Sequence, residues 1–170
     1  EAEPDLPAVM ADATQVHEVL MNLGKNACDA MQNRGGTLTI RLASERIDSL
    51  LHSPSPELHP GNYLRISVED TGTGIPPELI ERVFEPFFTT KGHGEGTGLG
   101  LSVVHGIVRG HRGAILVRSR PGTGTVFDLY FPAAEHQPED AAKATASTAT
   151  PAGRGEHVLY VDDEDQLLDL

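Results

Sequence analysis

The chain has 170 residues, 38% hydrophobic and 22% charged, with a formal net charge of −12. That length allows one domain with a real core plus a tail, and that charge excludes the basic stripe of a nucleic-acid surface, so a polyanionic ligand needs a metal ion or local cations. Cys28 is the single cysteine, which excludes an internal disulfide and fits a reducing, cytoplasmic setting. No apolar run approaches the ~18 residues of a membrane span, and nothing at the start resembles a signal peptide. The abrupt ends at Glu1 and Leu170 read as a fragment cut from something larger.

In chain order, residues 8–11 suggest a short strand. Asp12 reads as a helix N-cap with Gln15 as its capping-box partner. The helix is expected to run to about Asn33, ended by Gly35 and Gly36. Val16, Val19, Leu20, Leu23, Ala27, Ala30 and Met31 recur at helical spacing as its buried face. At ~100° per residue, Asn22, Asn26 and Asp29 form a second stripe flanking that face, with Asn26 nearest the core. His17, Lys25 and Gln32 point further toward water. The two asparagines are either a hydrogen-bonded boundary pair or part of an oxygen-rich row lining a cleft. Such a row suits a hard cation, because Mg²⁺ takes one or two oxygens from protein and the rest from phosphates and water.

Residues 37–44 alternate as a half-buried strand. Residues 48–61, with three prolines, three serines and two histidines, read as a long surface loop. His52 and His59 lack the neighbours of a metal site and read as solvated. Leu64, Ile66 and Val68 then share one face of a strand, and period 2 places Asp70 on that same face. An inward carboxylate needs a partner. Asp70 either caps the Gly72–Gly74 turn or accepts a hydrogen bond from a ligand in a pocket.

Pro76-Pro77-Glu78 is expected to start a short helix from Glu78 to about Phe84. Phe84-Glu85-Pro86-Phe87-Phe88-Thr89-Thr90-Lys91 follows, then five glycines within residues 92–100, read as a mobile lid. The lid feeds a helix carrying Leu99, Leu101, Val103, Val104, Ile107 and Val108. A glycine-rich loop opening a helix binds phosphate through free N–H groups and the helix dipole. It is neither a Walker P-loop nor a dinucleotide fingerprint, since the lysine and third-glycine positions do not match.

Residues 114–118 read as a strand and 121–124 as a turn. On the strand 125–131, Thr125, Phe127, Leu129 and Phe131 share one face. Thr125 is thus a second polar group aimed inward at a strand end. A mostly apolar pocket with a few orienting polar groups suits an adenine ring, whose exocyclic amine Asp70 accepts. Residues 133–155 contain no large apolar residue and read as a flexible linker. His157-Val158-Leu159-Tyr160-Val161 then reads as a strand leading to Asp162, Asp163 and Glu164.

Taken in order, these stretches resemble the ATP-binding catalytic domain of sensor histidine kinases, within the wider group of gyrase, heat-shock chaperone and mismatch-repair ATPases. Asn22-Leu23-Gly24-Lys25-Asn26-Ala27 is similar to the N box, Asp70-Thr71-Gly72-Thr73-Gly74 to the first G box, and Phe84 to Lys91 to the F box. Gly96-Thr97-Gly98-Leu99-Gly100-Leu101 is similar to the second G box, and Gly122-Thr123-Gly124-Thr125-Val126-Phe127 to the last glycine box. The resemblance covers about residues 5–132.

It implies an α/β two-layer sandwich, a mixed β-sheet packed against a layer of helices (the Bergerat-type ATP-binding fold), with ATP and Mg²⁺ as cofactors. On this resemblance Asn22 and Asn26 are the catalytic residues, and Asn26 is the Mg²⁺ ligand. Lys25 and Asp29 line the same cleft. Asp70 recognises the adenine amine, with Gly72, Gly74, Ile75 and Thr125 beside it. Phe84, Thr90, Lys91 and the run Gly96, Thr97, Gly98, Leu99, Gly100 and Leu101 close over the nucleotide. Gyrase-like ATPases carry a water-activating Glu where this chain has Asn22, so hydrolysis by that route is expected to be poor, although Glu18 leaves a carboxylate one turn earlier. The implied phosphate acceptor is a histidine on a dimerisation domain outside this chain. His17 does not fit that role, because it lies inside the N-box helix, faces solvent and lacks the following proline.

The tail from residue 156 resembles the start of a response-regulator receiver domain, whose Mg²⁺-binding carboxylates match Asp162 and Asp163. The implied domains are thus 1–132 catalytic, 133–155 linker and 156–170 a truncated receiver, from a hybrid kinase that is a homodimer and a phosphoprotein. The implied partners are its own dimerisation domain and a receiver domain or response regulator, with no nucleic acid and no direct membrane contact. Two other readings are a gyrase- or chaperone-like ATPase and a non-catalytic nucleotide-binding module.

Overall fold

Asp12 opens the first helix as expected: its carboxylate accepts from the N–H groups of Thr14 and Gln15 at 2.8 and 3.2 Å. Gln15 does not complete a capping box, because the Asp12 N–H donates to His111 Nε2 instead. A computed structural model describes residues 1–32, 35–49, 55–91 and 96–134. The helix α1 spans Ala13–Met31, and Gln32 is its C-cap; Asn33 lies outside the described residues. The expected lid residues 92–95 also lie outside them, as do His52 and everything from residue 135, including Asp162 and Asp163.

The strands are β1 (Leu38–Ile47), β2 (Gly61–Asp70), β3 (Ala114–Arg120) and β4 (Gly124–Pro132), and a second helix, α2, spans Gly100–Gly110. The four strands pair antiparallel in the order β1-β2-β4-β3. A parallel bridge from Ala2 to Leu42 on the outer edge of β1 makes the sheet mixed. The expected strand at residues 8–11 is reduced to a single bridge from Val9 to Ala133. The expected linker also begins later than residue 133, since Ala133 and Ala134 still donate to the carbonyls of Asn62 and Ala8.

Register decides which side chains face the helices. Val68 pairs with Phe127, Ile66 with Leu129 and Leu64 with Phe131, and all six are buried. Val19, Leu23, Val104 and Val108 of the two helices pack on them. Each such side chain contributes about 1.5–3 kcal/mol when fully buried, so this layer clamps α1 and α2 onto one face of the sheet. The opposite face carries a smaller cluster of Ile47, Leu58, Tyr63, Ala114 and Tyr130. Leu58, 1% exposed, therefore corrects the reading of residues 48–61 as a wholly surface loop.

The helix expected from Glu78 to Phe84 is a 3₁₀ turn, Pro77–Leu79, followed by further turns. Its bonds run from residue i+3 to residue i: Leu79 to Pro76, Ile80 to Pro77, Arg82 to Leu79 and Glu85 to Arg82. Pro76, Pro77 and Pro86 bracket the segment and shorten any α-type ladder.

Candidate active site

Three polar side chains lie in a row across adjacent strands at one end of the helix-facing side of the sheet. Asp70 of β2 is opposite Thr125 of β4, which is opposite Ser119 of β3. Asp70 and Thr125 are buried and form the floor of a cavity of about 350 Å³. Its walls come from α1, the segment after β2 and the start of α2.

At the sheet end, Asp70 Oδ1 accepts from the Gly72 N–H at 2.8 Å. Burial pushes the Asp70 carboxyl above the usual carboxylate range, against the lowering effect of hydrogen bonds from the Gly72 and Thr125 backbone; the neighbouring Glu69 adds to the rise. Asp70 therefore does serve the following turn, yet it also faces a cavity. Gly74 adopts φ +70°, and a Cβ there would stand 2.1 Å from the Arg120 carbonyl oxygen. Only glycine permits that approach, which holds the β2 turn against the β3–β4 hairpin. Gly122 N–H donates to Thr73 O at 2.7 Å across the same seam.

At the helical end, Asn22, Lys25, Asn26 and Asp29 of α1 line the cavity. Asn22 Nδ2 donates to the Glu18 carbonyl at 3.0 Å, and its Oδ1 lies beside the Cα of Gly100, the first residue of α2. Asn26 is half-buried, and its amide has no hydrogen-bond partner among the described residues. Asp29 is paired with Lys91 Nζ. Lys25 and Lys91 are the cations among the lining side chains, and they answer the need that the overall negative charge creates. The start of α2 has no side-chain cap at Leu99, and Gly98, Gly100 and Leu101 around it line the cavity. A helix end of this kind favours an anion.

Gly74, Ile75, Thr90, Gly96 and Thr97 also reach the cavity. Gly72, Phe84 and Leu99 do not line it. Gly72 lies beneath Asp70, where a Cβ would meet that of Ala30 at 2.6 Å. Phe84 turns into the core and packs on His105, with ring centroids 5.3 Å apart. Leu99 is 37% exposed.

Sequence reading missed much of the apolar wall: Leu79, Val83, Phe88 and Phe127. Phe127 was findable, since it shares the inward parity of Thr125. Phe88 is set by Arg82, whose guanidinium carbon lies 4.4 Å from the ring centroid. No local pattern announces that contact.

The donor set also bears on metal binding. No group of three or more His, Cys, Asp or Glu side chains among the described residues could hold a metal by itself. The unpartnered Asn26 oxygen, with Asn22 and Asp29 nearby, suits a hard cation that takes most of its ligands from phosphates and water.

Known proteins resemble this chain in sequence and fold. A family model described as histidine kinase-, DNA gyrase B-, and HSP90-like ATPase matches residues 11–135. Sensor kinase CckA of Brucella abortus (strain 2308) is 41% identical over 167 residues, covering 95% of this chain and 18% of its own length. A crystal structure of the catalytic domain of histidine kinase ThkA, in a nucleotide-free form, aligns with a TM-score of 0.52 and 37% identity, over 74% of this chain and 70% of that one. Full-length ShkA in complex with AMPPNP aligns with a TM-score of 0.58 and 30% identity, over 83% of this chain and 26% of that one. The chain thus spans a small part of the CckA and ShkA chains.

Proposed function

The chain belongs to the histidine kinase-, DNA gyrase B-, and HSP90-like ATPase family and is homologous to sensor histidine kinase catalytic domains, and we propose that it positions Mg·ATP for transfer of the γ-phosphoryl group to a histidine on a dimerisation domain outside this chain. The observation that carries the reading is that one cavity holds a buried carboxylate, Asp70, at one end and a phosphate-ready end at the other, formed by Asn26, Lys91 and the start of α2.

In this reading Asp70 accepts the adenine amine, with Thr125 beside it and Gly74 and Ile75 against the base. Asn26 offers an oxygen to Mg²⁺, and Asn22 and Asp29 border it. Bound Mg²⁺ would neutralise charge between the phosphates. Lys25, Lys91 and the N–H groups opening α2 take the remaining phosphate charge. Such transfer depends mainly on positioning and electrostatic stabilisation. No carboxylate of α1 other than that of Asp29 lines the cavity. Glu18 is exposed, and its backbone carbonyl serves Asn22. Water activation is therefore weak, and the γ-phosphate is kept for a histidine.

The parent is read as a cytoplasmic hybrid kinase module, dimeric through the missing domain and coupled to a receiver domain or response regulator. The CckA match extends into the tail, which supports the tail's being part of a sensor kinase. Asp162 and Asp163 are then the receiver's Mg²⁺ carboxylates. Among the described residues no helix is long and apolar enough to cross a membrane.

The test is incubation with γ-labelled ATP and Mg²⁺, alongside titration with a fluorescent ATP analogue. The expected result is saturable binding with no label retained on this chain and slow phosphate release. Label incorporated into this chain alone, or no binding, would overturn the reading. Phosphate release that is fast and is abolished by Asn22→Ala would favour the ATPase alternative.

A further inference from the structure

Ser119 lies outside the cavity lining, yet it is bonded to three groups that shape the cavity's base end. It accepts from the Ile75 N–H at 2.7 Å, donates to the Gly124 carbonyl at 3.0 Å, and meets Thr125 Oγ1 at 2.9 Å. A serine hydroxyl has one proton. With that proton on the Gly124 carbonyl, Ser119 can only accept from Thr125. In that arrangement the Thr125 proton is drawn sideways, along the sheet, and Thr125 presents lone pairs to the cavity. Asp70 beside it is also an acceptor when ionised. The base end of the cavity is therefore an acceptor surface, matched to a ligand edge that donates.

Ser119 also sets the distance between that surface and the wall above it. Ile75 lines the cavity and follows Gly74, whose backbone already abuts Arg120. The Ser119 bond to the Ile75 N–H is a side-chain link between the β2 turn and β3. One hydroxyl thus holds both Thr125 and Ile75, two residues of the cavity lining.

We propose that Ser119 is a positioning residue for base recognition, acting through Thr125 and Ile75 without touching the nucleotide. This inference rests on the nucleotide reading given above. The discriminating quantity is the ratio of affinities for ATP and for GTP, whose six-membered ring presents a carbonyl where adenine presents an amine. A residue that merely stabilises the fold would change both affinities together.

The experiment measures ATP and GTP dissociation constants for the wild type, Ser119→Ala, Ser119→Thr, Thr125→Val and the Ser119→Ala/Thr125→Val double variant, with circular dichroism confirming the fold. Ser119→Ala is expected to weaken ATP binding about tenfold and to lower the ATP-to-GTP preference, while Ser119→Thr, which keeps the hydroxyl, restores both. The double variant should show less than the product of the two single effects, because both act on one hydroxyl pair. An unchanged preference in Ser119→Ala, or fully multiplicative effects, would overturn the proposal while leaving the nucleotide reading intact. Should Ser119→Ala fail to fold, the same comparison of Ser119→Thr with the wild type decides, since a lost preference there contradicts a role carried by the hydroxyl. Absence of ATP binding by the wild type would overturn both.

Discussion

The backbone N–H of Asp12 donates to Nε2 of His111, 99 positions away, at 3.1 Å. The other ring nitrogen of His111 is 2.8 Å from the Ile107 carbonyl. A neutral imidazole donating from Nδ1 and accepting at Nε2 satisfies both contacts. The start of α1 is thereby tied to the end of α2, with the ring edge-on to Phe131 at 5.8 Å. His111→Ala is expected to cost about 1–2 kcal/mol through the lost bond and packing. Urea unfolding would measure it, and affinity for an ATP analogue should stay near the wild-type value because the tie is remote from the cavity.

Asp70 is expected to carry the base end of binding. Asp70→Asn should weaken ATP by about 1.5–3 kcal/mol, roughly 10- to 100-fold, as for loss of a hydrogen bond to a charged group. The pH dependence follows from the raised folded-state pKa, compared with an ordinary value of 3.8. As pH falls through that raised pKa, Asp70 becomes protonated and ATP affinity drops, sooner than for an ordinary aspartate. Stability has the opposite sign: the folded state holds this proton more tightly, so the Asp70 contribution is present below pH 3.8 and is lost as pH rises through the folded pKa. Calorimetric titrations of the wild type and Asp70→Asn between pH 4 and 8 would check this, the variant lacking the Asp70 inflection.

Asn26 is the expected metal contact. Asn26→Ala should leave Mg²⁺-free nucleotide binding nearly unchanged and should abolish most of the gain that Mg²⁺ gives the wild type. Titration of a fluorescent ATP analogue with Mg²⁺ and with a chelator measures the two terms separately.

The far face of the sheet gives a control. Asp128 is 3% exposed, accepts from Ser67 Oγ and pairs with Arg118 at 2.7 Å. Asp128→Ala would leave Ser67 without that bond and is expected to destabilise the domain by about 1–3 kcal/mol. Thermal unfolding should register the loss, while nucleotide affinity at saturating folded fraction should not change.

The chain's local periodicities determined a good part of this molecule. Period 2 placed Asp70 on the face of Leu64, Ile66 and Val68, and Thr125 on that of Phe127 and Leu129; the register then set the two side by side. Helical period placed Asn22, Asn26 and Asp29 along the edge of the α1 core face, and all three line the cavity. These signals are legible because side-chain direction repeats within a few residues of backbone. Tertiary structure alone decided the rest. Ser119 gained its role from a turn 44 positions away, and the intended partner of the Asp12 cap, Gln15, lost its place to His111. Leu58 became core by folding under the second sheet face. Each outcome depends on which distant group reaches a donor, acceptor or apolar surface first, and contacts between distant segments leave no local period in the sequence.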